Sequence, residues 1–173
     1  MQTMLEQSLL APVSQEFREE AATTKRVLGR VPADKLTWKP HAKSMTLGQL
    51  AWHVATTPGG LARLLQQESF DVSKGSFVPP QPKSLEEILT AYEQSVRDAE
   101  QFLSTTTDER VQGPWRLERN GMEIFTKPRM AVMRTIMLNH WYHHRGQLSV
   151  YLRMLEVPVP VIYGRSADED PFA

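Results

Sequence analysis

The sequence predicts an all-α protein, a four-helix bundle with crossover connections, plus a small β-hairpin before the last helix. Apolar residues recur at helical spacing in four long segments, which is the pattern of helices that bury one face. Two of these segments begin with capping motifs, and an Asn-Gly pair lies between two alternating stretches. The 173 residues are expected to form one domain, residues 1–173.

A long connection separates the first two helices. Residues 1–11 are predicted to form a short helical lead-in that Pro12 interrupts, and Ser14 then caps a first helix that ends near Gly29. Residues 31–45 lack both helical and alternating periodicity, so we expect a crossover loop there.

The second helix has a clear sequence signal at its start. Thr46 and Gln49 form a capping box, and the Pro-Gly-Gly run at residues 58–60 predicts a kink or a break inside the helix. Residues 70–83 are rich in Ser, Pro and Gly and are predicted to form a surface loop.

The last two helices flank the predicted hairpin. Ser84 and Glu87 form a second capping box, followed by an apolar stripe at regular helical spacing. Residues 115–125 alternate on either side of the Asn-Gly pair, which indicates a β-hairpin. Pro128 is then expected in the first turn of the last helix.

Composition excludes several classes of function. The chain has no cysteine, which excludes thiolate zinc sites and cysteine nucleophiles and fits a reducing cytoplasm. Its 20 basic and 20 acidic residues create no field that would attract nucleic acid or anionic lipid. Neither a membrane span nor a secretion signal is visible, so we expect a soluble, cytoplasmic protein.

Three of the five histidines lie within residues 140–144. His140 and His144 are four residues apart, which places both imidazoles on one helix face within reach of one metal ion. A uniform helical phase points both inward and puts His143 at the edge of the apolar stripe. The opposite, solvated face is assigned to Arg134, Tyr142, Arg145, Ser149 and Arg153. The alternative is that the paired histidines are core residues hydrogen-bonded to neighbours.

A third metal ligand must come from elsewhere in the chain. His53 lies on the flank of the apolar stripe of the second helix, where a residue of a bundle faces the neighbouring helix. That position suits a site shared between two helices. His41 lies in the crossover loop and is the least favoured histidine.

Three segments resemble the DinB-like (damage-inducible B) metalloprotein superfamily, four-helix bundles of the bacterial cytoplasm. They are residues 38–53, 140–148 and 157–169. The resemblance implies that His53, His140 and His144 bind a divalent metal. Some members of the superfamily are metal-dependent transferases or isomerases that use bacillithiol or mycothiol, which implies a low-molecular-weight thiol as a possible cosubstrate.

Three histidines without a carboxylate leave coordination positions open, as in a catalytic metal site. The open positions predict a metal-dependent enzyme, and the resemblance implies that it is of the thiol-dependent S-transferase or hydrolase type, with zinc or nickel as the ion. No catalytic residue is assigned. Arg145 and Gln147 are candidates for polar groups that assist the reaction, but both are interpreted as structural, Gln147 by orienting a ligand ring. The alternative is a non-catalytic bundle, metal-binding or metal-free, that acts through an interaction surface.

Large aromatic residues predict self-association. Trp52, Trp141 and Tyr142 fall off the predicted inward faces, and exposed aromatic side chains commonly anchor interfaces. We expect a symmetric homodimer. The alternative is that these rings pack within one subunit.

Overall fold

The computed structural model describes residues 8–172. Within them the chain is mostly helical, with a small three-stranded sheet. The long helices are α1 (Leu10–Leu28), α2 (Leu47–Leu65) and α3 (Leu85–Thr105), and α4 (Asp108–Gln112) is a short one. The last helix runs through α5 (Arg129–Val132), a π-helical segment (Met133–Asn139) and α6 (His140–Met154). No helix in this part of the chain is both long and apolar enough to cross a membrane.

Helix α2 is the central element of the fold. It packs against α3 on one side and against the last helix on the other, and α1 packs against both α3 and α6. The side chains between these helices form one apolar core that includes Phe17, Leu50, Ile88 and Leu148. Because α2 contacts the last helix directly, side chains from the two can meet in one site.

Both ends of α2 are capped as a helix buried among neighbours requires. At its start, the Thr46 hydroxyl accepts from the Gln49 amide while the Gln49 side chain accepts from the Thr46 amide, which confirms the predicted capping box. At its end, four successive carbonyl oxygens accept from distant side chains. The pairs are Trp115 to Leu64, Arg129 to Leu65 and Gln67, and Arg110 to Gln66.

The Pro-Gly-Gly run does not break α2, which continues to Leu65. Gly59 in this run instead permits α3 to approach α2 closely. The Gly59 amide donates to the buried Ser95 hydroxyl at 2.8 Å, and a Cβ on Gly59 would lie 2.7 Å from Ser95 Cα. Of the predicted kink or break, the break is wrong, because α3 packs closely against this stretch through a tertiary contact that the sequence does not display. The kink stays a prediction.

Helix α1 begins before the predicted cap. Pro12 lies in its first turn, where a missing amide proton costs nothing. The Asp108 carboxylate, at the start of α4, accepts from the Leu9 amide at 3.0 Å and from the Ser8 hydroxyl at 2.8 Å. The predicted cap at Ser14 is therefore wrong. Residues 1–7 of the predicted lead-in lie outside the described residues.

The sheet contains the predicted hairpin and one further strand. Strands β2 (Pro114–Arg119) and β3 (Met122–Pro128) are antiparallel, and Asn120 and Gly121 between them have φ values of 52° and 77°. These positive angles are the ones a tight hairpin turn needs. Strand β1 (Ser69–Asp71) pairs in parallel with β2, so the predicted loop at 70–83 begins with a strand.

Candidate metal centre

Three histidines converge where α2 meets α6. Each of His53, His140 and His144 offers one ring nitrogen, and these three atoms lie within 4.8 Å of one another. The Nε2 atoms of His53 and His140 are 3.0 Å apart. The ring centroid of His144 lies 4.5 Å from that of His53 and 4.4 Å from that of His140. Within residues 8–172 the cluster includes no carboxylate.

The donor set fits a divalent first-row ion. Zinc–imidazole bonds of about 2.0–2.1 Å place two nitrogens of a tetrahedral site about 3.3 Å apart, and cis nitrogens of an octahedral site about 3.0 Å apart. The 3.0 Å between His53 and His140 Nε2 atoms agrees with this range. All three side chains are half-buried, so an ion held here remains within reach of solvent or a small molecule.

Burial keeps these imidazoles neutral, the form that binds metal. Loss of solvation is the largest cause that lowers the pKa of His53, the neighbouring His144 and His140 act in the same direction, and together they bring it to about 4. Burial is also the main cause that lowers the pKa of His140 and of His144. At neutral pH each ring therefore has a lone pair available.

Gln147 orients one of the rings. His144 Nδ1 donates to Gln147 Oε1 at 2.7 Å, because an amide oxygen can only accept. That contact fixes the proton on Nδ1 and leaves Nε2 of His144 free to coordinate an ion. The contact agrees with the prediction that Gln147 orients a ligand ring, and the structure identifies that ring as His144.

The two other histidines lie outside the cluster. His143 is exposed, and its ring centroid lies 5.0 Å from that of His144. His41 is exposed in the crossover loop, where its Nδ1 accepts from the Lys43 amide at 3.1 Å. The structure thus brings together the three predicted ligands. His41 lies elsewhere, and His143 packs beside His144 without joining the converging nitrogens.

Arg145 was predicted to lie on the solvated face of the helix. In the structure it is buried, with 1% of its surface exposed. Its guanidinium contacts the Glu20 carboxylate at 2.5 Å, the Thr24 hydroxyl at 3.0 Å and the Tyr163 hydroxyl at 2.6 Å. Tyr142 is half-buried and donates to Glu16 at 3.0 Å. These partners come from α1 and the C-terminal segment, which sequence spacing could not connect to α6.

The π-helical segment explains these errors. Its wider turns shift the helical phase, so that the buried face of α6 is formed by Trp141, Arg145, Leu148 and Leu152. Trp141, predicted to face outward, is fully buried. His140 and His144 each precede a buried residue by one position, so they lie on the flank of the stripe rather than at its centre.

The fold and the site together define a class of mostly helical proteins in which two packed helices present a three-histidine cluster. The family model described as "DinB family" matches residues 1–170, and the chain belongs to that family. It is 28% identical over 151 residues to the uncharacterized protein YrdA of Bacillus subtilis (strain 168), an alignment that covers 87% of this chain and 85% of YrdA.

Two solved structures have a similar fold. A DinB-like protein from Bacillus cereus matches with a TM-score of 0.66 and 24% identity, over 86% of this chain and 94% of that one. The DinB-like protein YjoA from Bacillus subtilis matches with a TM-score of 0.68 and 17% identity, over 87% of this chain and 96% of that one. At these identities the similarity concerns the fold alone.

Proposed function

We propose that this chain is a cytoplasmic, metal-dependent enzyme of the thiol-dependent S-transferase or hydrolase type. In this proposal α1, α2, α3 and the last helix form a four-helix bundle that holds zinc or nickel on His53, His140 and His144. The observation that supports it most directly is the convergence of three half-buried imidazole nitrogens within 4.8 Å of one another.

Three protein ligands leave coordination positions for a reactant. A divalent ion held there lowers the pKa of a thiol or water that coordinates it, which supplies a nucleophile at neutral pH. Because the chain has no cysteine, the thiol has to arrive as a cosubstrate, for which a low-molecular-weight thiol is suited. Family membership and the three-histidine cluster support the metal site. The open coordination positions support catalysis, and the choice of a thiol as cosubstrate rests on the resemblance to thiol-dependent members of the superfamily.

The chain's own residues prepare the site in three ways. Burial keeps His53, His140 and His144 unprotonated at neutral pH. Gln147 fixes the tautomer of His144. Packing of α2 against α6 holds the three rings together before any ion binds, so that little conformational freedom is lost on binding.

Metal analysis of purified variants tests this proposal. His53→Ala, His140→Ala and His144→Ala should each lose most bound metal, whereas the controls His41→Ala and His143→Ala should retain it. Turnover is then measured with several thiols and a chlorinated or epoxide electrophile. Retention of metal by all three ligand variants would contradict the site, and metal binding without turnover of any pair would contradict the enzymatic assignment.

A non-catalytic alternative has its own supporting observation. The 3.0 Å between the His53 and His140 Nε2 atoms also fits a hydrogen bond between two neutral rings.

A stability measurement tests whether the cluster binds metal. If it does, free ion at about 100 times its dissociation constant should raise the free energy of unfolding by roughly 2.7 kcal/mol. The metal-free protein should still fold on its apolar core, and an unfolded metal-free chain would indicate a structural metal instead.

A further inference from the structure

A recess of about 220 Å³ lies directly beside the histidine cluster. Its lining comes from Trp52, His53 and Thr56 on α2 and from the loop segment 76–80. His53 belongs both to this lining and to the cluster, so a molecule in the recess would contact one of the proposed metal ligands. None of the lining residues is Asp, Glu, Lys or Arg.

The loop wall of the recess is held in place by hydrogen bonds. Gln49, one helical turn before His53, donates through Nε2 to the Pro79 carbonyl oxygen at 3.1 Å. Gln81, just after the segment, accepts from the Thr46 hydroxyl at 2.6 Å and donates to the Leu36 carbonyl oxygen at 3.1 Å. The wall is therefore attached to the capped start of α2, and the recess exists without a ligand.

The rim of the recess is apolar and exposed. Phe77 and Val78 are 69% and 74% exposed, although large apolar side chains gain from leaving water. Trp52, which lines the recess from α2, is half-buried. Aromatic rings on two walls suit a flat apolar molecule, since offset stacking and edge contacts add to simple burial.

The chemistry of the lining selects against charge. The Thr56 hydroxyl donates to the Trp52 carbonyl oxygen at 2.9 Å, so it can still accept a hydrogen bond, and Ser76 offers a second hydroxyl. An ionised ligand would lose hydration without finding an opposite charge. A neutral ligand with one or two hydrogen-bonding groups would lose much less hydration free energy, and the two hydroxyls could replace its hydrogen bonds to water.

The volume of the recess limits the size of the ligand. An apolar cavity of roughly 150 Å³ accommodates benzene, and the recess measures about 220 Å³. We propose that the recess is a binding subsite for an uncharged molecule the size of a substituted benzene ring, held between Trp52 and Phe77 against His53. Its role as the site of the electrophilic substrate rests on the proposed function, whereas the binding itself does not.

Fluorine NMR titration with two small probes tests the subsite. The neutral probe is 4-fluorobenzyl alcohol and the charged one is 4-fluorobenzoate. Metal-free protein is used for the comparison of charge, because a carboxylate could coordinate an ion. The neutral probe should bind metal-free and metal-loaded protein alike, and the metal-free protein should bind the benzoate at least about tenfold more weakly.

Surface variants locate the binding. Phe77→Ser should weaken binding of the neutral probe by about tenfold. Met122→Ser is the matched control, because Met122 is 70% exposed on β3, and it should leave binding unchanged. Both substitutions are at exposed positions and should leave the fold intact, which circular dichroism checks.

The possible failures are distinguishable when metal content is measured on the same samples. Metal binding without probe binding, or equal binding by the Phe77→Ser and Met122→Ser proteins, would overturn the subsite. Equal affinity for the two probes in metal-free protein would overturn its preference for neutral ligands. Probe binding without metal binding would support the subsite and contradict the proposed function.

Discussion

Trp141 donates its indole N–H to the Val54 carbonyl oxygen at 2.8 Å, in place of the amide proton that Pro58 lacks. In an uninterrupted helix the residue at position 58 would donate to the carbonyl of residue 54, and proline has no such proton. Val54 follows His53, and Trp141 follows His140. The one bond therefore compensates for the proline in α2 and sets the distance between two candidate metal ligands.

Trp141→Phe should lower the free energy of unfolding by about 1–3 kcal/mol, because the buried Val54 carbonyl loses its donor. Urea denaturation measures the loss. Metal affinity should fall in the same variant, since the spacing of His53 and His140 loosens.

Pro58→Ala provides the matched background for that test. Alanine restores an amide proton at position 58. Trp141→Phe should therefore lower the free energy of unfolding by less in the Pro58→Ala protein than in the wild type. Equal costs in the two backgrounds would show that the indole does not substitute for the missing donor.

Gln147→Leu should weaken metal binding by about tenfold or more, because His144 loses the acceptor that fixes its tautomer. Gln147→Glu keeps an acceptor at the same distance and serves as the control. Titration calorimetry with zinc or nickel measures both affinities. If leucine and glutamate variants bind the ion equally well, orientation of His144 by residue 147 is refuted.

Stability of the metal-free protein should depend on pH through the three histidines. Burial, with smaller contributions from His144 and His140, lowers the pKa of His53 to about 4, while an unfolded histidine titrates near pH 6.5. Below about pH 6.5 the unfolded chain binds protons that the folded chain does not. The free energy of unfolding should thus be maintained above that pH and decline as pH falls toward about 4.

Urea denaturation in a chelating buffer, at about pH 7.5 and about pH 4.5, measures this decline. His53→Gln cannot titrate and should lose less stability between the two pH values than the wild type. The same decline in both proteins would assign the effect to other groups.

The buried pair of Arg145 and Glu20 should be sensitive to loss of one partner. Glu20→Gln leaves a guanidinium that is 1% exposed without its counter-charge, and loss of one member of a buried pair typically costs about 3–5 kcal/mol. Replacing both, in Arg145→Met with Glu20→Gln, should cost less than the sum of the single changes. Additive costs from thermal or urea unfolding would indicate that the pair is not coupled.

We propose that the chain forms a symmetric homodimer, which Trp52 supports through the side of its ring that lines a groove beside α3, away from the recess beside His53. Trp141 is fully buried, and the Tyr142 hydroxyl donates a hydrogen bond to Glu16. Neither residue therefore supports a dimer interface. Sedimentation at micromolar concentration should show twice the 19.8 kDa of one chain, and Trp52→Ala should reduce the assembly to monomer. A wild-type monomer would refute the dimer, and a dimer that survives Trp52→Ala would have its interface elsewhere.

Several features were predictable because they depend on residues close together in sequence. The capping hydroxyls of Thr46 and Ser84 act on amides three residues later, and the hairpin turn needs the positive φ angles that Asn120 and Gly121 adopt. The four-residue spacing of His140 and His144 places them on one helix face by geometry alone. Local hydrogen-bonding rules and helical periodicity are sufficient for each of these.

Tertiary packing decided the remaining features. Strand β1 exists because Ser69 pairs with Arg116, and Arg145 is buried because Glu20 and Tyr163 supply its partners. The π-helical segment before α6 changes which side chains face the core. Residue identity alone sets the chemistry of His53, but only the packing of α2 against α6, with Trp141 bonded to Val54, brings its Nε2 to 3.0 Å from that of His140.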